Sequence, residues 1–177
     1  MKAVYIVDEI TVADILSDPM RRAILDLLRQ TPMTQARLAD GLGLSEPSLN
    51  YHMRLLRSKK LVKIVKRESE RHGIVQKFFG PAAFLFVYDL DALPKSIARY
   101  FYPISLERAR GIASALILKD KRKFMMGSST DSMNQFAEQI SRSLVMVAES
   151  YKNIDIKYSS EEFVYKIYAE AKEAAIK

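Results

Sequence analysis

The chain has 177 residues, 49% of them apolar and 28% charged, so it is long enough to bury a core and its composition is that of a folded protein rather than a disordered one. It has no cysteine, which excludes a disulfide framework, a thiolate metal site and a thiol nucleophile. The net charge of +7 is local: from Arg54 to Lys77 nine basic residues face two acidic ones, an excess equal to that of the whole chain.

The first residues, Met1 to Glu9, have neither the length nor the apolar run of a signal peptide, and no stretch approaches the roughly 18 apolar residues that a membrane span requires. A soluble, cytoplasmic protein without a membrane partner is expected.

Ala3 to Val7 alternates as a short strand, and Thr11 can cap a helix through about Leu16. Asp18-Pro19 is a stronger start signal, an N-cap side chain followed by proline where a missing N–H costs nothing. The helix it opens carries Ile24, Leu27 and Leu28 and ends before Pro32. Thr34 caps the next, with apolar positions at Leu38 and Ala39. It leads into Gly41-Leu42-Gly43-Leu44, where two glycines predict a tight turn. Ser45 caps a further helix to about Ser58. Helix, glycine turn, capped helix is the helix-turn-helix pattern.

Beyond Lys60 the period changes from helix to strand. Leu61 to Glu68 alternates, Ile74 to Phe79 is a second β-rich run, and the polar stretch Ser69 to Gly73 between them predicts a hairpin with a charged tip. Gly80-Pro81 marks a boundary. Past it, Leu85 to Leu90 reads as a strand, Pro94 to Tyr102 as a short helix and Ser105 to about Lys123 as a longer one behind a serine cap. Gly127 to Asp131 reads as loop and cap. Ser132 to about Lys152 is amphipathic through Phe136, Ile140, Leu144 and Val147, and Ser160 opens a last helix. The fold expected is mainly α with a small β-hairpin: a DNA-binding unit over 1–80 and a helical dimerisation region, which can also hold an effector, over 81–177.

On a helical wheel, Leu49, Met53 and Leu56 fix the buried side of the helix from Ser45 to Ser58. Pro47, Tyr51, Arg54 and Ser58 then lie opposite, flanked by Ser48 and Asn50. Such a face suits the major groove: Ser and Asn bond base edges or phosphates, Tyr51 meets a phosphate or a thymine methyl, and Arg54 forks onto guanine or phosphate. Its plain alternative is a solvated helix surface. Arg57, Lys59 and Lys60 at the helix end suit both phosphate binding and the helix dipole, and the two roles are compatible. Lys66, Arg67 and Arg71 on the hairpin suit phosphates or a narrow minor groove, although edge protection also places lysines there. His52, between the two sides of its helix, reads as a hydrogen-bonding residue toward backbone or phosphate rather than a metal ligand, and His72 as a solvated turn residue. No metal-ligand spacing, phosphate loop or nucleophile elbow is present, so no cofactor and no enzymatic activity are expected.

Ile15 to Leu28, Leu38 to Ser45, Leu49 to Leu56 and Leu61-Val62 together resemble the ArsR-type winged helix regulators, over roughly Val12 to Phe79. The resemblance implies a homodimer with recognition helices in successive major grooves of double-stranded DNA, regulating transcription by operator occupancy. Ser45, Ser48, Tyr51, His52 and Arg54 match its recognition-helix pattern. Metal-sensing members use a cysteine pair or Asp/His ligands in a terminal helix, and the missing cysteines argue against metal sensing here.

From Pro81 on, 14 basic residues nearly balance 12 acidic ones, so this half does not read as a second DNA surface. Its Met- and aromatic-rich stretches, among them Tyr100 to Tyr102 and Leu144 to Val147, suit a core with a dimer seam or a pocket for a small apolar effector. Two further readings of the whole chain stand beside the sequence-specific regulator: an architectural protein that coats DNA, and a winged helix used for protein contacts.

Overall fold

The computed structural model describes residues 1–69, 74–119, 130–158 and 161–176. In chain order these form β1 (Lys2–Val7), α1 (Ile10–Ser17), α2 (Pro19–Gln30), α3 (Gln35–Leu42), α4 (Glu46–Ser58), β2 (Val62–Ser69), β3 (Val75–Pro81), β4 (Ala83–Tyr88), α5 (Lys95–Ala98), α6 (Tyr102–Lys119), α7 (Thr130–Tyr151) and α8 (Glu161–Ile176). The protein is mainly helical, with one antiparallel hairpin after the first four helices and a helical C-terminal region.

Asp18 starts α2 as expected: its Oδ1 accepts the N–H groups of Met20 at 2.7 Å and Arg21 at 3.3 Å. The next two side chains turn back onto α1. Arg21 Nε donates to the Ile15 carbonyl, and Arg22 donates to those of Leu16 at 2.6 Å and Ser17 at 2.7 Å. Orphan carbonyls at the end of α1 are thereby satisfied by guanidinium groups, which fixes the corner between the two helices.

The amphipathic faces of α1 to α4 close on one core that includes Leu16, Ile24, Leu28, Leu38, Leu49, Met53 and Leu56, roofed by Leu61, Val62 and Phe79 from the hairpin. The hairpin is tied down on a second side, because Met33 and Phe79 exchange backbone hydrogen bonds of 3.1 and 2.8 Å. Within it the register pairs Ile64 with Phe79 and Lys66 with Phe78, a bulge that turns Val65 outward. Of the expected tip, Ser69 instead ends β2 opposite Val75, and the rest, with His72, lies outside the described residues.

The two outer strands meet each other. β1 pairs in parallel with β4, Val4 opposite Leu85 and Ile6 opposite Val87, so the whole helix-turn-helix and hairpin form the crossover. Ala3, Val4, Leu85 and Val87 bury one face against Leu144, Ala148 and Tyr151 of α7 and Ile167 and Ala171 of α8. Backbone bonds from Ala3 to Ile154 and from Ile156 to Met1 add the segment after α7 to the same edge.

Several boundaries depart from the sequence expectations, each for a local reason. α1 begins at Ile10 with Glu9 at its N-cap, so Thr11 lies inside the first turn and does not cap. Of the two glycines, Gly43 alone takes a positive φ, at 63°, with the following Leu44 N–H reaching Ala39; Gly41 sits in the last turn of α3. α6 starts at Tyr102, not at a Ser105 cap, because Pro103 occupies the first turn where it loses no hydrogen bond. The stretch from 120 to 129, which contains the expected end of that helix and most of the loop after it, lies outside the described residues, and so does Ser160.

One contact links the C-terminal region to the hairpin. A Cβ built on Gly80 would lie 2.1 Å from the Tyr158 hydroxyl and 3.0 Å from a Val65 methyl. That hydroxyl is buried without a hydrogen-bond partner, and burial pushes the phenol's pKa up. Gly80→Ala is therefore expected to cost about 1–3 kcal/mol by overpacking. Tyr158→Phe, which deletes only the clashing and unpaired oxygen, should hold or raise stability and rescue much of the destabilisation by Gly80→Ala. Denaturant unfolding of the two single variants and the double variant measures this coupling, and simple additivity would count against it.

Candidate nucleic-acid interface

The helix α4 is set by its cap and its buried side. Ser45 Oγ accepts the Ser48 N–H at 3.4 Å, Pro47 fills an early position, and Leu49, Met53 and Leu56 are almost fully buried. Burying that side leaves Pro47, Tyr51, Arg54 and Ser58 exposed along the other, with Ser48 half-buried beside them. Tyr51 is 51% exposed, high for a large aromatic ring, and Arg54 lies over it with its guanidinium 5.6 Å from the ring centroid. This stacking holds both side chains up from the helix surface.

Asn50 sits on the flank and is held by α3: Gln35 Nε2 donates to its Oδ1 at 2.6 Å. That bond engages the Asn50 carbonyl and not its amide N–H groups, and Asn50 lines a concavity with Arg54 and Arg57. Gln35 was not singled out in the sequence. Its place at the first position of a helix packed on α4 was the available signal.

His52 is set apart from this face. Its side chain is only 13% exposed, and Nδ1 is buried 3.8 Å from Asp18 Oδ2 without a hydrogen-bond partner. The ring thus packs over the N-cap of α2 instead of projecting with its neighbours, since a position between the two sides of an amphipathic helix meets whatever lies under it.

At the exit of α4, Arg57 lies 5.9 Å from the Phe79 ring, bracing the hairpin base, and Lys59 is half-buried. Lys60 carries φ 56°, the left-handed conformation, while Leu61 N–H closes back on Leu56 at 2.9 Å. A lysine occupies the position that glycine usually takes in such a cap. On the hairpin, Lys66 pairs with Glu68 and lies over Phe78. Arg67 stands directly opposite Lys77, both exposed. Two cations facing each other across a ladder repel, so this pair works against hairpin stability. Lys63 is also exposed on β2. Lys63 and Lys77 belong to the basic stretch seen in the sequence, but only the strand register brings Lys77 to Arg67. Arg71 lies outside the described residues.

Among the described residues, no three His, Asp or Glu side chains gather as metal ligands. No described helix is long and apolar enough to cross a membrane.

Residues 16–65 match the family model described as a helix-turn-helix domain. This segment is a helix-turn-helix domain. The chain is also 38% identical over 47 residues to the transcriptional repressor SdpR of Bacillus subtilis (strain 168). That match takes in 27% of this chain and 52% of the relative, so the chain spans about half the length of the curated protein it matches. The helix-turn-helix domain contains all of α2, α3 and α4 and the first residues of the hairpin. The resemblance to ArsR-type regulators read from these same residues holds over this segment.

The conformation of Lys60 separates its charge from its backbone. Lys60→Gly is expected to raise stability by about 0.5–1 kcal/mol, because glycine escapes the left-handed penalty and gives back only part of that gain through unfolded-state entropy. Lys59→Gly, at φ −102°, should instead lower it. Thermal unfolding of the two variants checks the opposite signs.

Proposed function

We propose that the protein is a DNA-binding transcription regulator that acts as a homodimer, with α4 in the major groove and the hairpin along the backbone or minor groove. The observation that carries this reading is the Arg67–Lys77 pair, two cations directly opposite each other across a hairpin that packs against α4. Repulsion of this kind is relieved when a polyanion lies between or over the cations. The helix-turn-helix match and the repressor named among its relatives support the same conclusion.

In this reading Arg54, raised on Tyr51, forks onto a guanine edge, and Ser48 and Asn50 reach neighbouring bases or phosphates. Pro47 and Ser58 keep the face low enough for close approach. Ser45 and His52 act from below: the first fixes the start of α4, the second its seating on α2. Arg57, Lys59, Lys60, Lys66, Arg67 and Lys77 hold phosphates and set the register without carrying sequence information. Residues from 81 onward pair two copies, and their helices carry any effector site; a dimer of this kind reads half-sites about one helical turn apart.

Selection from random duplexes by the full chain is expected to enrich a near-palindromic site. Arg54→Ala should relax the preference at one position of each half-site, at a cost of about 1–3 kcal/mol. An even drop in affinity over all sequences would make Arg54 a phosphate ligand, and a selection that enriches nothing would favour DNA coating. Arg67→Thr with Lys77→Thr is expected to raise hairpin stability by up to about 1 kcal/mol. The same double variant should reduce the slope of log affinity against log salt by about 0.9 for each phosphate that is no longer neutralised. A salt slope unchanged by the double variant would remove the hairpin from the interface, and a chain with no salt-dependent duplex affinity would be a protein-interaction module.

A further inference from the structure

One concavity lies away from the proposed DNA face. It has a volume of about 590 Å³ and opens between the turn after β4, the start of α6 and the middle of α7. This is the size of an ordinary small-molecule site. Leu90, Leu106 and Val145 form its apolar wall, Tyr102 gives an accessible aromatic ring, and Met146, 73% exposed, stands at the rim. Methionine at a rim adapts its shape to what enters.

The polar part of the lining has one sign. Asp89, Asp91 and Glu138 line it, with Arg142 as the one cation among the described residues of the lining. Arg142 is already held by Asp91, Nε to Oδ2 at 3.2 Å. Glu138 accepts the Tyr102 hydroxyl at 2.7 Å, and Asp89 Oδ1 accepts the N–H groups of Asp91 and Ala92. These bonds fix the carboxylates in place without neutralising Asp89 or Glu138; among the described residues neither has a paired cation in the cavity. The cavity therefore keeps an excess of negative charge in a chain whose net charge is +7.

We infer that this cavity binds an organic cation with an apolar body, such as a quaternary ammonium, phosphonium or amidinium compound. An anion would meet Asp89 and Glu138 directly. A neutral apolar molecule would strip water from carboxylates and give nothing back. A bare metal ion would find too few ligands close together and too much hydrocarbon. A second copy across a two-fold axis would bring the same acidic cavity against itself. A cation with aromatic or aliphatic substituents satisfies both the wall and the charge, with the Tyr102 ring adding a cation–π interaction. The site stands without the DNA reading; only a role as effector rests on that reading.

The test is calorimetric titration of the full chain, without DNA, by tetraphenylphosphonium and by benzamidine, with neutral triphenylphosphine oxide and tetraphenylborate as controls. Saturable binding is expected for at least one cation. Removing the charge should weaken it about tenfold, both in the neutral analogue and in the Asp89→Asn, Glu138→Gln double variant, which keeps both hydrogen-bond acceptors. Arg142→Gln, which removes the opposing charge, should tighten it. The inference is overturned if neither cation binds saturably, if the neutral or anionic probe binds as well, or if the isosteric double variant is unchanged. Binding that strengthens as the protein is diluted from dimer to monomer would also overturn it, since the cavity would then be a subunit seam. Adding the bound cation to the selected duplex is a separate measurement: a shift in duplex affinity makes the cation an effector, and no shift leaves the site but removes that role.

Discussion

Burial of Leu49, Met53 and Leu56 determines how this molecule presents itself. These side chains enter the core shared by α1, α2 and α3, and a rigid helix buried along one side must expose the other. The spacing of three apolar residues thus aims Tyr51 and Arg54 outward without any contact that pulls them there. His52, between the two sides, comes down onto Asp18, which already caps α2 and lies near Arg21. A single carboxylate therefore sits where α1, α2 and α4 come together, so the orientation of the outward face depends on a corner far from its tip.

The same core extends to the hairpin through Phe79. That ring packs inside, its backbone pairs with Met33, and Arg57 lies over its face. The hairpin is consequently held against the helices by both backbone and side chains. Its outer part is free to carry charge that stability alone would not select. Repulsion between Arg67 and Lys77 is small beside the burial of Phe79 and Val62, and the fold tolerates it.

Besides the packing of α5 and Phe101 on the first core, the C-terminal helices meet this unit at two places of different character. Parallel pairing of β1 with β4 is a regular sheet contact whose outer face carries α7 and α8. The approach of Tyr158 to Gly80 is a point contact with no hydrogen bond to soften it. Close-packed contacts of this second kind transmit small displacements, because neither partner can yield without opening a void or a clash. The acidic cavity lies on the helical side, beside the end of β4, one strand away from that contact in sequence order.

Much of the helix-turn-helix was legible in the chain alone. Asp18-Pro19, Thr34 and Ser45 are local signals that act through their own backbone neighbours, and the apolar period of α2 and α4 needs no partner to be read. Local chemistry failed where two signals competed: Pro103 outranked Ser105, and Gly43 made the turn without Gly41. The outward positions of Pro47, Tyr51, Arg54 and Ser58 follow from the wheel, whereas the inward turn of His52 does not, because it depends on what α2 places beneath it. Pairing between residues far apart in the chain was decided only by the tertiary structure: Val4 with Leu85, Arg67 with Lys77, Tyr158 with Gly80 and Glu138 with Tyr102. Periodicity records which side of an element is apolar but not which other element covers it. The sequence by itself therefore determined the elements and the basic stretch, and the packing decided which charges face one another and where a cavity is left open.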